Sequence, residues 1–225
     1  MISRAVAHDL RSPLSGLIGI IELMKEDCDA KSLTFDQMDD YLKMMGQSAD
    51  RLEAIVDSLQ LLIKIGLTEK IAVEPVNLLA IIRRARQRVM PDVESRGGKL
   101  VIPKRCPETM GAIMWVGEII VNFMSNGIKY GGTPPVVMVQ TEETDDGFVK
   151  ISVSDNGPGL SDVQKAAIFD VRRTDDRIKV DGLGIGLPFV KQIAERLGGS
   201  VGVEDSAADG ATFWVKLPTG GVREP

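Results

Sequence analysis

The sequence predicts an α+β chain. An N-terminal antiparallel helical hairpin pairs with a second copy as a dimeric four-helix bundle. An α/β sandwich with a mixed sheet follows it. Three observations carry this expectation. Apolar residues repeat four–three over the first third of the chain. From Ala72 the repeat gives way to short alternating runs. Glycine-rich turns then punctuate the remainder.

In the first helix, Leu10, Leu14, Leu17, Ile21 and Met24 form a heptad seam, with Pro13 inside it removing one backbone donor. Cys28-Asp29-Ala30-Lys31 breaks the pattern. A second helix opens at Thr34, where Gln37 completes a capping box. Met38, Leu42, Met45, Ala49, Leu52, Val56, Leu59 and Ile63 continue the repeat, and Tyr41, Ile55 and Leu62 widen it. A stripe this wide exceeds what one partner helix covers. Either a second copy or the following domain must take the surplus, and the predicted arrangement is the homodimer. Gly66 to Lys70 ends the helix, which sets the divisions at 1–66 for the hairpin, 67–73 for a linker and 74–220 for the second domain.

In that domain Val73 to Val76 reads as a short strand, followed by a helix through about Arg88. Lys99 to Ile102 reads as a strand and Ile113 to Lys129 as a half-buried helix. Val136 to Gln140 and Phe148 to Val153 form a hairpin about Asp145-Asp146-Gly147. Gly186 to Leu197 is helical. Ser200 to Val203 and Ala211 to Leu217 close the sheet around Ala208-Asp209-Gly210.

Bulk properties narrow the function. The 225 residues carry a net charge of -5, with no basic stripe, which argues against nucleic acid as the main partner. The apolar run Leu14 to Met24 contains Glu22 and is too short to span a bilayer, and no signal peptide precedes it. Two distant cysteines fit free thiols in a reducing compartment, so a cytoplasmic location is expected.

Four features carry chemistry. His8 is the only histidine. With Cys28 and Cys106 alone it cannot build a zinc site. Register places it off the seam, with Ser12 one turn later on the same outer face. It reads either as an inert solvated side chain or as a nucleophile able to take up a phosphoryl group. Asp9 is adjacent to His8, and adjacent helix positions do not face one another. Asp155-Asn156-Gly157-Pro158-Gly159 follows a strand, and Gly182-Leu183-Gly184-Ile185-Gly186 precedes a helix. The latter is not a dinucleotide fingerprint, and no Walker-type loop occurs. A glycine loop feeding a helix N-terminus nonetheless suits phosphate oxygens. Asn122 and Asn126 lie one turn apart on an apolar helix, where two buried amides either cap nearby backbone or bind something. An amide oxygen is a fair ligand for magnesium.

His8-Asp9-Leu10-Arg11-Ser12-Pro13-Leu14 resembles the phosphoacceptor box of sensor histidine kinases. Asn122 to Tyr130 is similar to that family's asparagine box, the two glycine clusters to its glycine boxes, and Ile168-Phe169-Asp170 to its phenylalanine box. The boxes stand in the family's order, and the resemblance runs from Met1 to Pro218. It implies an autophosphorylating protein histidine kinase of a two-component system, passing phosphate from His8 to an aspartate on a response regulator receiver domain. Asp9 would assist His8, and Ser12 would stand where the family often carries Thr or Asn for removing phosphate from the partner.

The resemblance further implies a Bergerat-type domain binding ATP and Mg2+. Asn126 would hold the metal with Asn122 close by, Lys129 would contact phosphate, and Tyr130 would lie near the adenine. Asp155 would accept a hydrogen bond from the adenine amino group. Gly157 and Gly159 would leave room for the base, and Gly182, Gly184 and Gly186 would flank the phosphates. Residues 161–181 would form a lid in which Arg172, Arg173, Arg177 or Lys179 meets the triphosphate. Val171-Arg172-Arg173 replaces the second aromatic the family commonly shows there. The alternatives are a phosphotransfer or scaffold module without ATP-dependent activity, and a gyrase-like ATPase. Asn122 argues against the latter, because it stands where such ATPases carry a glutamate base.

Overall fold

The computed structural model describes residues 2–67, 71–169, 186–207 and 209–219, with side chains omitted at 2–9, 50–51, 53–54 and 57–67. The chain divides into two compact units, a helical one over residues 1–66 and an α/β one holding the remaining described residues.

The helical unit is a hairpin of α1 (Ile2–Asp29) and α2 (Phe35–Leu67). Thr34 starts α2 as its residue type and spacing require. Its backbone N–H donates to Gln37 Oε1 at 2.9 Å, and the Gln37 N–H donates to Thr34 Oγ1 at 3.2 Å. The two helices run antiparallel. Near the turn the Tyr41 hydroxyl donates to Asp27 Oδ2 at 2.7 Å, and farther along a side chain at Gly16 would meet Ser48 Oγ at 3.7 Å.

The covered seam differs by one position from the sequence expectation. Pro13 and Ile20 are buried and Leu10, Leu17 and Met24 half-buried on α1. Tyr41, Met45, Ser48 and Leu52 are half-buried and Ile55 buried on α2. Leu14, Ile21, Leu42 and Val56, expected in the seam, are exposed, as are Ile18 and Met44. The stripe is wider than one facing helix, so the hairpin contact takes one edge of it and leaves the other uncovered.

The α/β unit contains β1 (Glu74–Val76), α3 (Leu78–Ser95), β2 (Lys99–Val101), β3 (Thr109–Gly111), α4 (Ile113–Tyr130), β4 (Val136–Thr144), β5 (Phe148–Ser154), α5 (Asp162–Ala167), α6 (Gly186–Arg196), β6 (Ser200–Asp205) and β7 (Ala211–Pro218). Five strands form a sheet in the order β2-β4-β5-β7-β6. β2 runs parallel to β4, and the other pairings are antiparallel, giving the mixed sheet expected. β1 and β3 form a separate antiparallel ribbon. The buried sheet face carries Val137, Val139, Val149, Ile151, Val153, Phe213, Val215 and Leu217. Opposite stand Ile81, Ile82, Ile119, Ile120, Phe123, Phe189 and Ile193 of α3, α4 and α6.

Three elements depart from the reading of the sequence. α3 continues past Arg88 because Val89 and Val93 extend its buried face beyond Pro91. β3 is too short to show a period. α5 begins at a second capping box, Ser161 with Gln164, inside the stretch read as lid. Both cysteines are free, Cys28 exposed and Cys106 half-buried. Among the described residues no helix is long and apolar enough to cross a membrane.

Candidate nucleotide site

The site assembles where the C-terminal half of α4 meets the loop after β5 and the turn before β7. Asp155 is the first residue beyond β5 and only 7% exposed. Its Oδ1 accepts two backbone donors, Gly157 N–H at 2.8 Å and Ala211 N–H at 3.2 Å. Its other oxygen has no partner among the described residues. That oxygen is also not sealed in, because among the described residues Thr141 Oγ1 is the sole buried side-chain polar atom left unpaired. A carboxylate fixed by one oxygen and open at the other is a preformed acceptor for an N–H group of a ligand.

Glycines bring the backbone close enough for this. A Cβ at Gly157 would lie 2.4 Å from Tyr130 O, and one at Gly210 would lie 2.1 Å from Asp155 O. Gly159 adopts φ +69°, where an L side chain is strained. At Gly127 a Cβ would meet Val137 Cγ2 at 3.0 Å and Asp155 Cβ at 3.5 Å, so α4 runs directly past the aspartate.

On α4, Asn126 Nδ2 donates to Asn122 Oδ1 at 3.3 Å. The pair is half-buried, not fully buried as the apolar pattern suggested. This bond leaves Asn126 Oδ1 without a partner among the described residues, which fits a hard cation. No cluster of three or more His, Cys, Asp or Glu suited to a metal occurs among the described residues. An ion here would therefore rest on an amide oxygen and its ligand's own phosphates. Gly186, the first residue of α6, abuts the same pair: its Cβ would fall 2.4 Å from Asn122 Nδ2. The positive end of that helix is thus set beside the amides. Lys129 is exposed, with its Nζ 5.4 Å from the centre of the Tyr130 ring.

The unit therefore brings together Asn122, Asn126, Lys129, Tyr130, Asp155, Gly157, Gly159 and Gly186. Gly182, Gly184 and the lid cations Arg172, Arg173, Arg177 and Lys179 lie outside the described residues. Ser12 is exposed on α1, as its register requires. The side chains of His8 and Asp9 lie outside the described set.

Two features were not read from the sequence. Asn156 makes three hydrogen bonds to the chain after α4, described below. Thr212, buried on β7, shares a 2.9 Å hydrogen bond with Ser154, the residue before Asp155. Phe169 packs edge-on against Phe213 at 6.5 Å, and Phe213 stacks on Phe123 at 5.7 Å, so an aromatic column runs from just beyond α5 to α4.

The described family "Histidine kinase-, DNA gyrase B-, and HSP90-like ATPase" matches residues 111–221, and the "His Kinase A (phospho-acceptor) domain" matches residues 2–67. With both in one chain, the protein belongs to the sensor histidine kinases. It is 31% identical over 225 residues to sensor histidine kinase ZraS of Escherichia coli, covering 99% of this chain and 46% of that protein. It is 28% identical over 230 residues to sensor protein GacS of Pseudomonas syringae, covering 97% of this chain and 25% of that one. The chain spans at most about half the length of these curated relatives.

Among solved structures, full-length ShkA in complex with AMPPNP superposes with a TM-score of 0.62 at 24% identity, covering 96% of this chain and 45% of that one. Acinetobacter baumannii histidine kinase AdeS gives 0.62 at 16% identity, covering 95% and 98%. At these identities the likeness is one of fold.

Proposed function

We propose that the chain is the catalytic core of an ATP-dependent, autophosphorylating histidine kinase in a two-component system. The hairpin 1–66 presents the phosphoacceptor, 67–73 connects, and 74–220 binds ATP. The observation that carries this reading is Asp155, buried, held by two backbone donors through one oxygen and open at the other. That oxygen suits the exocyclic amino group of adenine, with Gly157 and Gly159 leaving room for the base and Tyr130 beside it.

Asn126 Oδ1 would hold Mg2+, which would supply charge neutralisation to the phosphates when bound. Asn122 braces Asn126 and, being an amide, cannot deprotonate a water, which favours transfer over hydrolysis. Lys129, Arg173 and the backbone about Gly182, Gly184 and Gly186 meet the phosphate oxygens. An imidazole nitrogen of His8 bonds to the γ-phosphorus as the bond to the β–γ bridging oxygen breaks and ADP leaves. Asp9 receives the imidazole proton. The phosphoryl group then passes to an aspartate of a response regulator receiver domain, and Ser12 is placed to orient water for its later removal. The working unit is a cytoplasmic homodimer.

Incubation with γ-labelled ATP tests this. Wild type should acquire acid-labile, base-stable label, and His8→Gln and Asn126→Ala should acquire none. Label persisting in His8→Gln would reject the phosphoacceptor assignment.

A further inference from the structure

We infer that Asn156 is a positioning residue that fixes the end of the asparagine helix against the nucleotide-recognising aspartate. This inference rests on the nucleotide reading of the site. Asn156 lies between Asp155 and Gly157, yet its side chain turns away from the open carboxylate oxygen and ties down the segment leaving α4. Its Oδ1 accepts the Gly132 N–H at 3.0 Å and the Val136 N–H at 2.8 Å. Its Nδ2 donates to Pro134 O at 3.2 Å. One amide thus closes the whole connection between α4 and β4, engaging both its donor and its acceptor.

The consequences reach the site through backbone, not side chains. α4 ends where Gly131 N–H returns to Gly127 O at 3.0 Å. The next residue, Gly132, is the first one held by Asn156. A Cβ on Gly157 would lie 2.4 Å from Tyr130 O and 3.2 Å from Gly131 Cα, so the two backbones touch. Three successive residues therefore divide the labour. Residue 155 offers an acceptor to the ligand. Residue 156 anchors the chain that follows Lys129 and Tyr130. Residue 157 makes room for that chain's approach. Without the anchor, Lys129 and Tyr130 keep their helix but lose their fixed distance from Asp155.

A side chain that only stabilised the fold would lower the melting temperature and leave affinity unchanged at temperatures where the protein is folded. Asn156 instead should change how tightly the folded chain binds ATP. Replacement by Asp keeps the acceptor for Gly132 and Val136 but loses the donor to Pro134 O, so it should rescue in part. Gly132→Ala attacks the same clamp from the other side, because its Cβ would fall 2.7 Å from Asn156 Nδ2 and 2.8 Å from Asn156 O.

The experiment is equilibrium dialysis of Mg-ATP against the whole chain, at a temperature where circular dichroism shows every variant folded. Alongside it, the KM for ATP and the kcat of autophosphorylation are measured. Asn156→Ala should bind about tenfold more weakly, the loss expected when a displaced Lys129 or Tyr130 gives up about one net contact to the nucleotide. Its KM should rise in step, with kcat little changed. Asn156→Asp should fall between Ala and wild type, and Gly132→Ala should reproduce the Ala phenotype. Asp155→Ala is the control for the underlying reading: if it binds ATP as wild type does, the nucleotide assignment fails. If Asp155→Ala loses binding while Asn156→Ala stays within twofold of wild type, or Asn156→Asp is no better than Ala, the positioning role is overturned alone.

Discussion

Asp155 and the asparagine pair are decided by which atoms are already engaged. Two backbone N–H groups on one carboxylate oxygen hold the side chain in place before any ligand arrives, so binding incurs little ordering cost. Asp155→Asn keeps the size but puts an N–H donor where the adenine amino group also donates. ATP affinity should fall by about 100-fold, the cost of a lost charge-assisted bond plus an unpaired donor; dialysis reads it directly. At Gly186 the constraint is space. Gly186→Ala drives a methyl into Asn122 Nδ2, so Asn126 loses its brace and autophosphorylation with Mg-ATP should drop about tenfold. That Asn122, Asn126, Asp155 and Gly157 come together was legible because they fall in the boxes on which the resemblance rests. Asn156 was not, because its role is set by hydrogen bonds to residues 20 to 24 positions earlier, which no local pattern records.

At the scale of elements, local signals spoke where a few neighbouring residues decide. Thr34 with Gln37 announces the start of α2, and the same chemistry at Ser161 with Gln164 starts α5 inside the stretch that the sequence reads as lid. The covered seam was less legible. Periodicity locates a stripe but does not say which edge the partner helix takes, and the hairpin took the Pro13, Ile20, Tyr41 and Ile55 edge.

The Tyr41–Asp27 clamp near the turn makes a pH prediction. Tyr41's pKa is raised above its ordinary value, first by its hydrogen bond to Asp27, then by desolvation and the negative charges of Asp27 and Glu26. An acid with a raised folded pKa stabilises fully below its unfolded value, and that contribution is lost as pH climbs through the folded value. Melting followed at 222 nm should therefore show wild type above Tyr41→Phe from pH ~7 to ~9, with the gap closing above pH ~10. Gly46 offers the opposite case. It is an exposed α2 glycine with nothing within 4 Å of its would-be Cβ, so Gly46→Ala should stabilise the hairpin by about 0.5–1 kcal/mol.

For the molecule as a whole, the edge of the stripe left open is what the homodimer proposal explains. Leu14, Ile18 and Ile21 on α1 and Leu42 and Val56 on α2 are each between 43% and 55% exposed, and they repeat at heptad-like intervals. Isolated exposed apolar residues need no explanation, but a periodic file on two neighbouring helices does. Fully burying an exposed leucine or isoleucine contributes about 1.5–3 kcal/mol, and burying one from this half-exposed state about half that. Ten such residues across two copies contribute about 8–15 kcal/mol, comparable to the roughly 4–15 kcal/mol that association costs. A carboxylate in the middle of the file would be desolvated without a partner, a penalty of several kcal/mol per copy and doubled by two-fold symmetry. Leu42→Glu should therefore sediment as a monomer at micromolar concentration, where wild type should sediment as a dimer. Leu42 is half-exposed and outside the intrachain seam, so the hairpin itself should keep its helical signal. ATP affinity should be unchanged, because Asn126, Tyr130, Asp155 and Gly157, the described residues proposed to recognise the nucleotide, belong to the α/β unit. A Leu42→Glu chain that still sediments as a dimer would place the interface elsewhere, while one that unfolds would show the file to be part of the intrachain core.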